Sequence, residues 1–322
     1  MEKFVFFGGK GGVGKTTVAS AYAAKCADCG VETLVVSTDP AHSTSDVFDQ
    51  DFSDEPARVE NREHLWAMEI DPDEEVQSHL REIRRTMSEQ VSVGIVNEID
   101  RQIELAHRTP GAYEAALFDR FIDVMEDSEE YDRVVFDTSP TGGTLRLLAL
   151  PDFLGEWIDR LIAKRSSSID LFEKAAIGDE GARERARRDP IIARLRERKE
   201  NFGFAAETLR ERASFFLVMN PDELSIRETD RALASLREYG LGVQGLIVNR
   251  LTPEPEEAEN GRGAQYLRER RETERERLAR IRETLSPPVI ATIETRVEEV
   301  RGPLVDEIAG ELAIEIAPAG RA

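Results

Sequence analysis

Residues 9–16 read Gly9-Lys10-Gly11-Gly12-Val13-Gly14-Lys15-Thr16 and lie between an apolar run, Phe4 to Phe7, and an Ala-rich stretch of helical composition, Thr17 to Cys29. The segment fits G-x-x-x-x-G-K-[ST] in the strand, loop and helix context that gives the pattern its physical meaning. Glycines let main-chain N–H groups close around phosphates, and the helix that follows directs its positive end at them. The Lys15 ammonium supplies a point charge to the β and γ groups, and the Thr16 hydroxyl can ligate Mg²⁺. The residues from Gly9 to Thr16, together with Thr17, are therefore the candidate nucleotide-binding residues, with ATP and Mg²⁺ as the expected cofactors. A tight glycine turn without a ligand is the alternative reading.

The rest of the chain supports the same architecture. Short β-rich apolar segments recur at Glu32 to Ser37, Leu65 to Ile70, Arg133 to Phe136, Phe215 to Met219, Leu246 to Val248 and Val289 to Ile293, separated by helical stretches. That alternation predicts an α/β fold with a mostly parallel sheet covered by helices on both faces. One P-loop domain over 1–322 is expected. Two connections, 72–130 and 151–212, are longer than a crossover requires and read as helical insertions forming a subdomain beside the sheet. In the first, Ile95, Ile99 and Ile103 recur at helical spacing. With Val96, Leu117, Phe118 and Phe121 they could line an exposed apolar groove or pack inside the subdomain. The Arg/Glu alternation of Arg268 to Arg282 reads as a solvated helix.

The chain carries 43 Lys and Arg against 64 Asp and Glu, a net charge of -21. Such a charge opposes attraction to nucleic acid or anionic lipid, so no nucleic-acid partner is expected. Lysine is confined to Lys3, Lys10, Lys15, Lys25, Lys164, Lys174 and Lys199. An acidic, Lys-poor composition suits a halophile-like protein kept soluble in concentrated salt; a stability optimum at low ionic strength would contradict that expectation. No run approaches the roughly 18 to 20 uncharged apolar residues of a bilayer span, and the start shows no secretory pattern. A cytoplasmic protein without stable membrane insertion is expected. The two cysteines, Cys26 and Cys29, do not suggest a disulfide framework in that setting.

Further segments narrow the reading. Lys10 is a second lysine within the loop, as in the deviant P-loops of partitioning and cell-division ATPases, the nitrogenase iron protein and arsenite-pump ATPases. Asp39-Pro40-Ala41-His42-Ser43 follows the second strand and Asp137-Thr138-Ser139-Pro140-Thr141-Gly142 ends the fourth, both at the carboxyl edge where open α/β sheets bind ligand. With Leu145 to Pro151, Ile247-Val248-Asn249, Gln265-Tyr266-Leu267 and Glu298 to Gly302, these make the chain resemble the arsenite-pump ATPase (ArsA) family over essentially its whole length. That family includes ATPases that deliver tail-anchored membrane proteins.

The resemblance implies a homodimeric ATPase. Lys10 would reach across the dimer interface to the partner's nucleotide and, with Lys15, add positive charge in phosphoryl transfer. Asp39 in the first switch would position the attacking water, and Asp137 would hold the Mg²⁺ shell with Thr16. Taken alone, either aspartate could be a helix cap or turn residue. Pro40, Ala41 and His42 belong to the first switch, with His42 a conformational linker and not a base. Pro140, Thr141 and Gly142 belong to the second. Asn249 would contact adenine, although a turn role is also open.

The pattern departs from the family in two places. Targeting members usually carry a Cys-x-x-Cys pair that clasps zinc across the dimer, whereas the equivalent stretch here is Asn260-Gly261-Arg262-Gly263, so zinc is not expected and the chain resembles an archaeal member without that pair. Pump members use three separated cysteines for arsenite, which two cysteines cannot supply. The expected function is therefore an ATP-driven switch with a hydrophobic membrane-protein client and a membrane receptor as possible partners. An arsenite-efflux subunit, a general nucleotide-gated holdase and a partition or cell-division ATPase remain alternatives.

Overall fold

Alternation along the first strand decides what covers each face of the sheet. In β1 (Phe4–Gly9) the side chains of Phe4 and Phe6 point into one buried cluster, and those of Val5 and Phe7 into the other. Phe6 stacks between Phe136 and Phe215, with ring centroids 4.6 and 5.0 Å away, so the central strand is fixed by aromatic contacts to both neighbouring strands. A fully buried aromatic of this kind contributes roughly 2–3 kcal/mol of burial.

The computed structural model describes residues 2–38, 43–71, 112–137, 158–164, 166–167 and 190–316. The strands after β1 are β2 (Thr33–Ser37), β3 (Ala57–Arg58), β4 (Leu65–Glu69), β5 (Arg133–Asp137), β6 (Ala213–Met219), β7 (Val243–Leu251) and β8 (Val289–Glu294). They form an eight-stranded sheet in the order β3-β4-β2-β5-β1-β6-β7-β8. Every pairing is parallel except β3 with β4. The expected strands are all present, within a few residues of the anticipated ends. The two-residue β3 had too little pattern to be read from sequence.

The helices are α1 (Lys15–Asp28), α2 (Ser43–Phe48), α3 (Ala112–Glu126), α4 (Pro190–Glu211), α5 (Glu223–Glu238), α6 (Arg262–Thr284) and α7 (Pro303–Glu311). Helix α1 is buried on almost every side: Val18, Ala19, Ala21, Tyr22 and Ala23 are inaccessible. Its alanines permit close approach to the sheet, and α7 covers the outer side, with the Lys25 ammonium donating to the Leu312 carbonyl. Helices α3, α4, α5 and α6 contribute to the opposite face.

Part of the expected insertion is described, and it corrects the groove reading. Leu117, Phe118 and Phe121 on α3 are 1%, 2% and 1% exposed. Phe121 meets Phe136 of β5 edge-on at 5.2 Å, and Phe118 packs on Phe202 of α4 at 5.9 Å. These side chains belong to the sheet's own core, because α3 and α4 lie against the sheet and bury their apolar stripes there. Arg198 bridges the two helices through Asp119 at 2.8 Å. Ile95, Val96, Ile99 and Ile103 lie outside the described residues. Among the described residues no helix is long and apolar enough to cross a membrane.

Candidate nucleotide site

The loop between β1 and α1 is shaped by backbone that side chains would obstruct. Gly9 has φ 144°, and a Cβ there would lie 2.0 Å from the Val218 carbonyl oxygen of β6. Gly14, with φ 89°, faces the Asn249 amide, which a Cβ would approach to 2.4 Å. Asn249 at the carboxyl end of β7 donates from Nδ2 to the Val13 carbonyl at 2.8 Å, and its Oδ1 accepts from the Arg250 N–H at 2.8 Å. The third strand from the loop therefore fixes the loop's conformation. Gly14 brings no side chain that could cap α1, so the first-turn amides adjoin the cavity with only glycine before them.

The side chains of this turn are nearly enclosed: Lys15 is 8% and Thr16 is 9% exposed. The Lys15 ammonium donates to the Lys10 main-chain carbonyl at 3.3 Å, which folds it back over the loop. The Thr16 hydroxyl donates to Asp137 Oδ2 at 2.5 Å. Asp137 is buried at the end of β5, level with Phe7 of β1 and Ser37 of β2. Its main-chain carbonyl accepts from both the N–H and the hydroxyl of Thr38, each at 3.3 Å. One residue thus touches the phosphate loop through its side chain and the exit of β2 through its backbone. A hydroxyl and a carboxylate side by side are hard oxygen donors that fit Mg²⁺.

A cavity of about 420 Å³ opens over these groups, within the size range of small-molecule sites. Gly12, Gly14, Lys15, Thr16, Thr17 and Asn249 form one wall, and the segment from Glu294 to Arg301 forms another. In that second wall Arg296 is paired with Glu311, and Arg301 with Glu299 at 2.7 Å. Sequence alone assigns Glu298 to Gly302 no role, since exposed charge at the end of a sheet carries no pattern of its own.

Of the remaining candidate residues, Lys10 lies 4.0 Å from Glu228 of α5, partly exposed. Asp39, Pro40, Ala41, His42, Pro140, Thr141 and Gly142 lie outside the described residues. Cys26 is buried against Tyr22, and burial pushes its thiol up to about 11, so it is protonated at neutral pH and is a small apolar group there. Cys29 is exposed. Glu69, which sequence reasoning passed over, is 4% exposed and binds the start of α2. A carboxylate closing an otherwise apolar strand, Leu65-Trp66-Ala67-Met68-Glu69, was the signal available for it.

A family model for anion-transporting ATPases matches residues 2–313. The chain belongs to the anion-transporting ATPase family. A putative arsenical pump-driving ATPase 2 of Aquifex aeolicus is 33% identical over 298 residues, 92% of this chain and 94% of the relative. A putative arsenical pump-driving ATPase of Halobacterium salinarum is 33% identical over 313 residues, 96% of this chain but 44% of the relative. The chain therefore spans nearly all of the first and less than half of the second. The ATPase get3 of Neurospora crassa is 31% identical over 311 residues, 93% of this chain and 87% of the relative. As a member of the anion-transporting ATPase family, the chain is an ATPase.

Proposed function

We propose that the chain is a homodimeric, ATP-driven conformational switch of the cytosol that binds hydrophobic segments of membrane proteins, tail-anchored ones in particular, and passes them to a membrane receptor. The observation that carries the switch is the double attachment of Asp137: its carboxylate holds Thr16 of the phosphate loop, and its carbonyl holds Thr38 at 3.3 Å, next in sequence to Asp39. Any change in what Thr16 contacts is thereby relayed to the strand ends from which both switch segments leave. Thr16 and Asp137 would hold Mg²⁺, which supplies charge neutralisation at the β- and γ-phosphate oxygens. Lys15 holds those oxygens, Lys10 leaves Glu228 to reach the partner's nucleotide, Asp39 orients the attacking water, and Asn249 meets the adenine. The similarity to the ATPase get3 supports the client class.

Asp39→Asn tests the reading. The amide keeps the size of the side chain but loses the charge that orients water, so the variant is expected to bind ATP, hydrolyse it at least about 10²-fold more slowly, and accumulate as a closed dimer. Phosphate release, light scattering in Mg-ATP, and mass spectrometry of co-purifying proteins read the three effects. Hydrolysis equal to wild type removes Asp39 from its role. Stimulation of the wild type by arsenite favours a metalloid-pump subunit, the activity for which two relatives are named.

A further inference from the structure

We infer that Glu274 on α6 is a positioning residue for nucleotide binding, pinning a bulge in β7 that aims Asn249 at the phosphate loop. Resting on the ATPase reading above, this role extends the site to a carboxylate outside the walls of the nucleotide cavity. The register of β7 against β8 slips between Val248, which pairs with Thr292, and Leu251, which pairs with Glu294, so three residue steps on β7 face two on β8. One extra residue in a ladder bends the strand and re-aims the side chains beside it. Arg250 takes up the bend at φ 60°, a conformation that a residue with a Cβ holds where its surroundings impose it. Asn249 stands next to it, 8% exposed, with Nδ2 donating to the Val13 carbonyl at 2.8 Å and Oδ1 accepting from the Arg250 N–H at 2.8 Å. The peptide that carries the Val13 carbonyl also carries the Gly14 N–H, and in a trans peptide the two point in opposite directions. Holding the carbonyl on Asn249 therefore turns the Gly14 N–H away from β7. Gly14 lines the cavity, so the direction of this peptide decides whether its amide is available to a phosphate.

The far side of the bulge is held by α6. The Thr252 N–H donates to Glu274 Oε2 at 2.7 Å, the Thr252 hydroxyl donates to Glu274 Oε1 at 2.8 Å, and the Thr252 carbonyl accepts from Arg271 at 2.6 Å. Thr252 and Glu274 are each 4% exposed. Arg270 Nε donates to Glu274 Oε1 at 3.0 Å, and Arg271 also reaches Glu294 of β8 at 3.1 Å. The Thr295 N–H donates to the Leu251 carbonyl at 2.8 Å, so β7 and β8 leave the sheet tied together. Charge-assisted bonds in a buried setting are strong and geometrically selective. Only Arg250 and Leu251 separate Asn249 from Thr252, so a shift of this anchor passes directly to the Asn249 amide and from there to the loop.

The experiment measures Mg-ATP affinity by calorimetry, kcat, KM and inhibition by tripolyphosphate on the full chain. The variants are Glu274→Ala, Glu274→Gln and Asn249→Ala, and each Glu274 change combined with Asn249→Ala. Expected are Kd and KM for ATP raised about tenfold by Asn249→Ala and about fivefold by Glu274→Ala, the factor that one buried hydrogen bond carries. The kcat is expected to stay within about threefold, because the loop grips phosphates in the ground and transition states alike. Tripolyphosphate, which has no base, weakens by the same factors as ATP. Glu274→Gln keeps one acceptor and loses less. In the Asn249→Ala background either Glu274 change alters affinity less than about 1.5-fold, since the anchor has nothing left to aim. A purely structural role lowers thermal stability in both backgrounds without that coupling. Should Glu274→Ala fail to fold, Glu274→Gln carries the test through a rise in Kd of at least about twofold that disappears with Asn249→Ala. Wild-type affinity in the folded Glu274 variants, equal losses in both backgrounds, or a loss for ATP that spares tripolyphosphate overturns the inference, while hydrolysis by the wild type leaves the functional reading intact. A wild type that neither binds nor hydrolyses ATP overturns both.

Discussion

Replacing Lys15 with alanine is expected to lower ATP hydrolysis by at least about 10³-fold while the chain remains folded. The side chain is 8% exposed and its ammonium is folded over the loop onto the Lys10 carbonyl. A charge held in that enclosure costs desolvation that a solvated lysine avoids, and it recovers that cost when a triphosphate occupies the loop. On the proposed function, removing it deletes a positive group that would face charge developing during phosphoryl transfer. Lys15→Arg is not expected to rescue, since a planar guanidinium does not replace a point charge in a space shaped by Gly12 and Gly14. Phosphate release at a Mg-ATP concentration that saturates the wild type, alongside a thermal melt, checks both halves. Hydrolysis within about tenfold of wild type would place the reacting phosphates elsewhere.

The second large effect concerns the fold of the loop itself. Gly9→Ala is expected to destabilise the protein by more than roughly 4 kcal/mol or to prevent folding. At φ 144° the new Cβ would sit 2.0 Å from the Val218 carbonyl oxygen and 3.0 Å from its carbon. That neighbour is backbone of β6, paired in register with Gly9, so it yields only if the central ladder opens. Gly11→Ala is the contrast: its backbone is not in the left-handed region and a Cβ there meets nothing within 4 Å, so stability is expected to stay within about 1 kcal/mol. Denaturant midpoints of the two variants make the comparison.

How much of this was legible in the sequence depended on whether a residue's role is local. The phosphate loop announces itself because its chemistry needs consecutive amides, and the strands announce themselves because a doubly covered parallel sheet makes each one a continuous apolar run. The strand-end position of Asp137 was legible, since it closes the apolar run Arg133–Asp137, whereas its 2.5 Å bond to Thr16 was not. Groups whose role depends on a distant partner were not. Glu274 sits within an Arg/Glu run that reads as wholly solvated, yet it is 4% exposed and takes the Thr252 N–H at 2.7 Å and hydroxyl at 2.8 Å, fixing the end of β7 beyond Asn249. Glu69 is the same case at β4. Leu117, Phe118 and Phe121 misled in the other direction: periodicity shows that a helix has an apolar face, but not whether that face meets a client or its own sheet.

The account depends on the phosphate loop gripping a nucleotide. Titration calorimetry of the full chain with ATP and with ADP, magnesium present and salt varied, measures that directly. Saturable binding with one nucleotide per chain, lost in Lys15→Ala, is the predicted result. The absence of heat with either nucleotide at every salt concentration would contradict it.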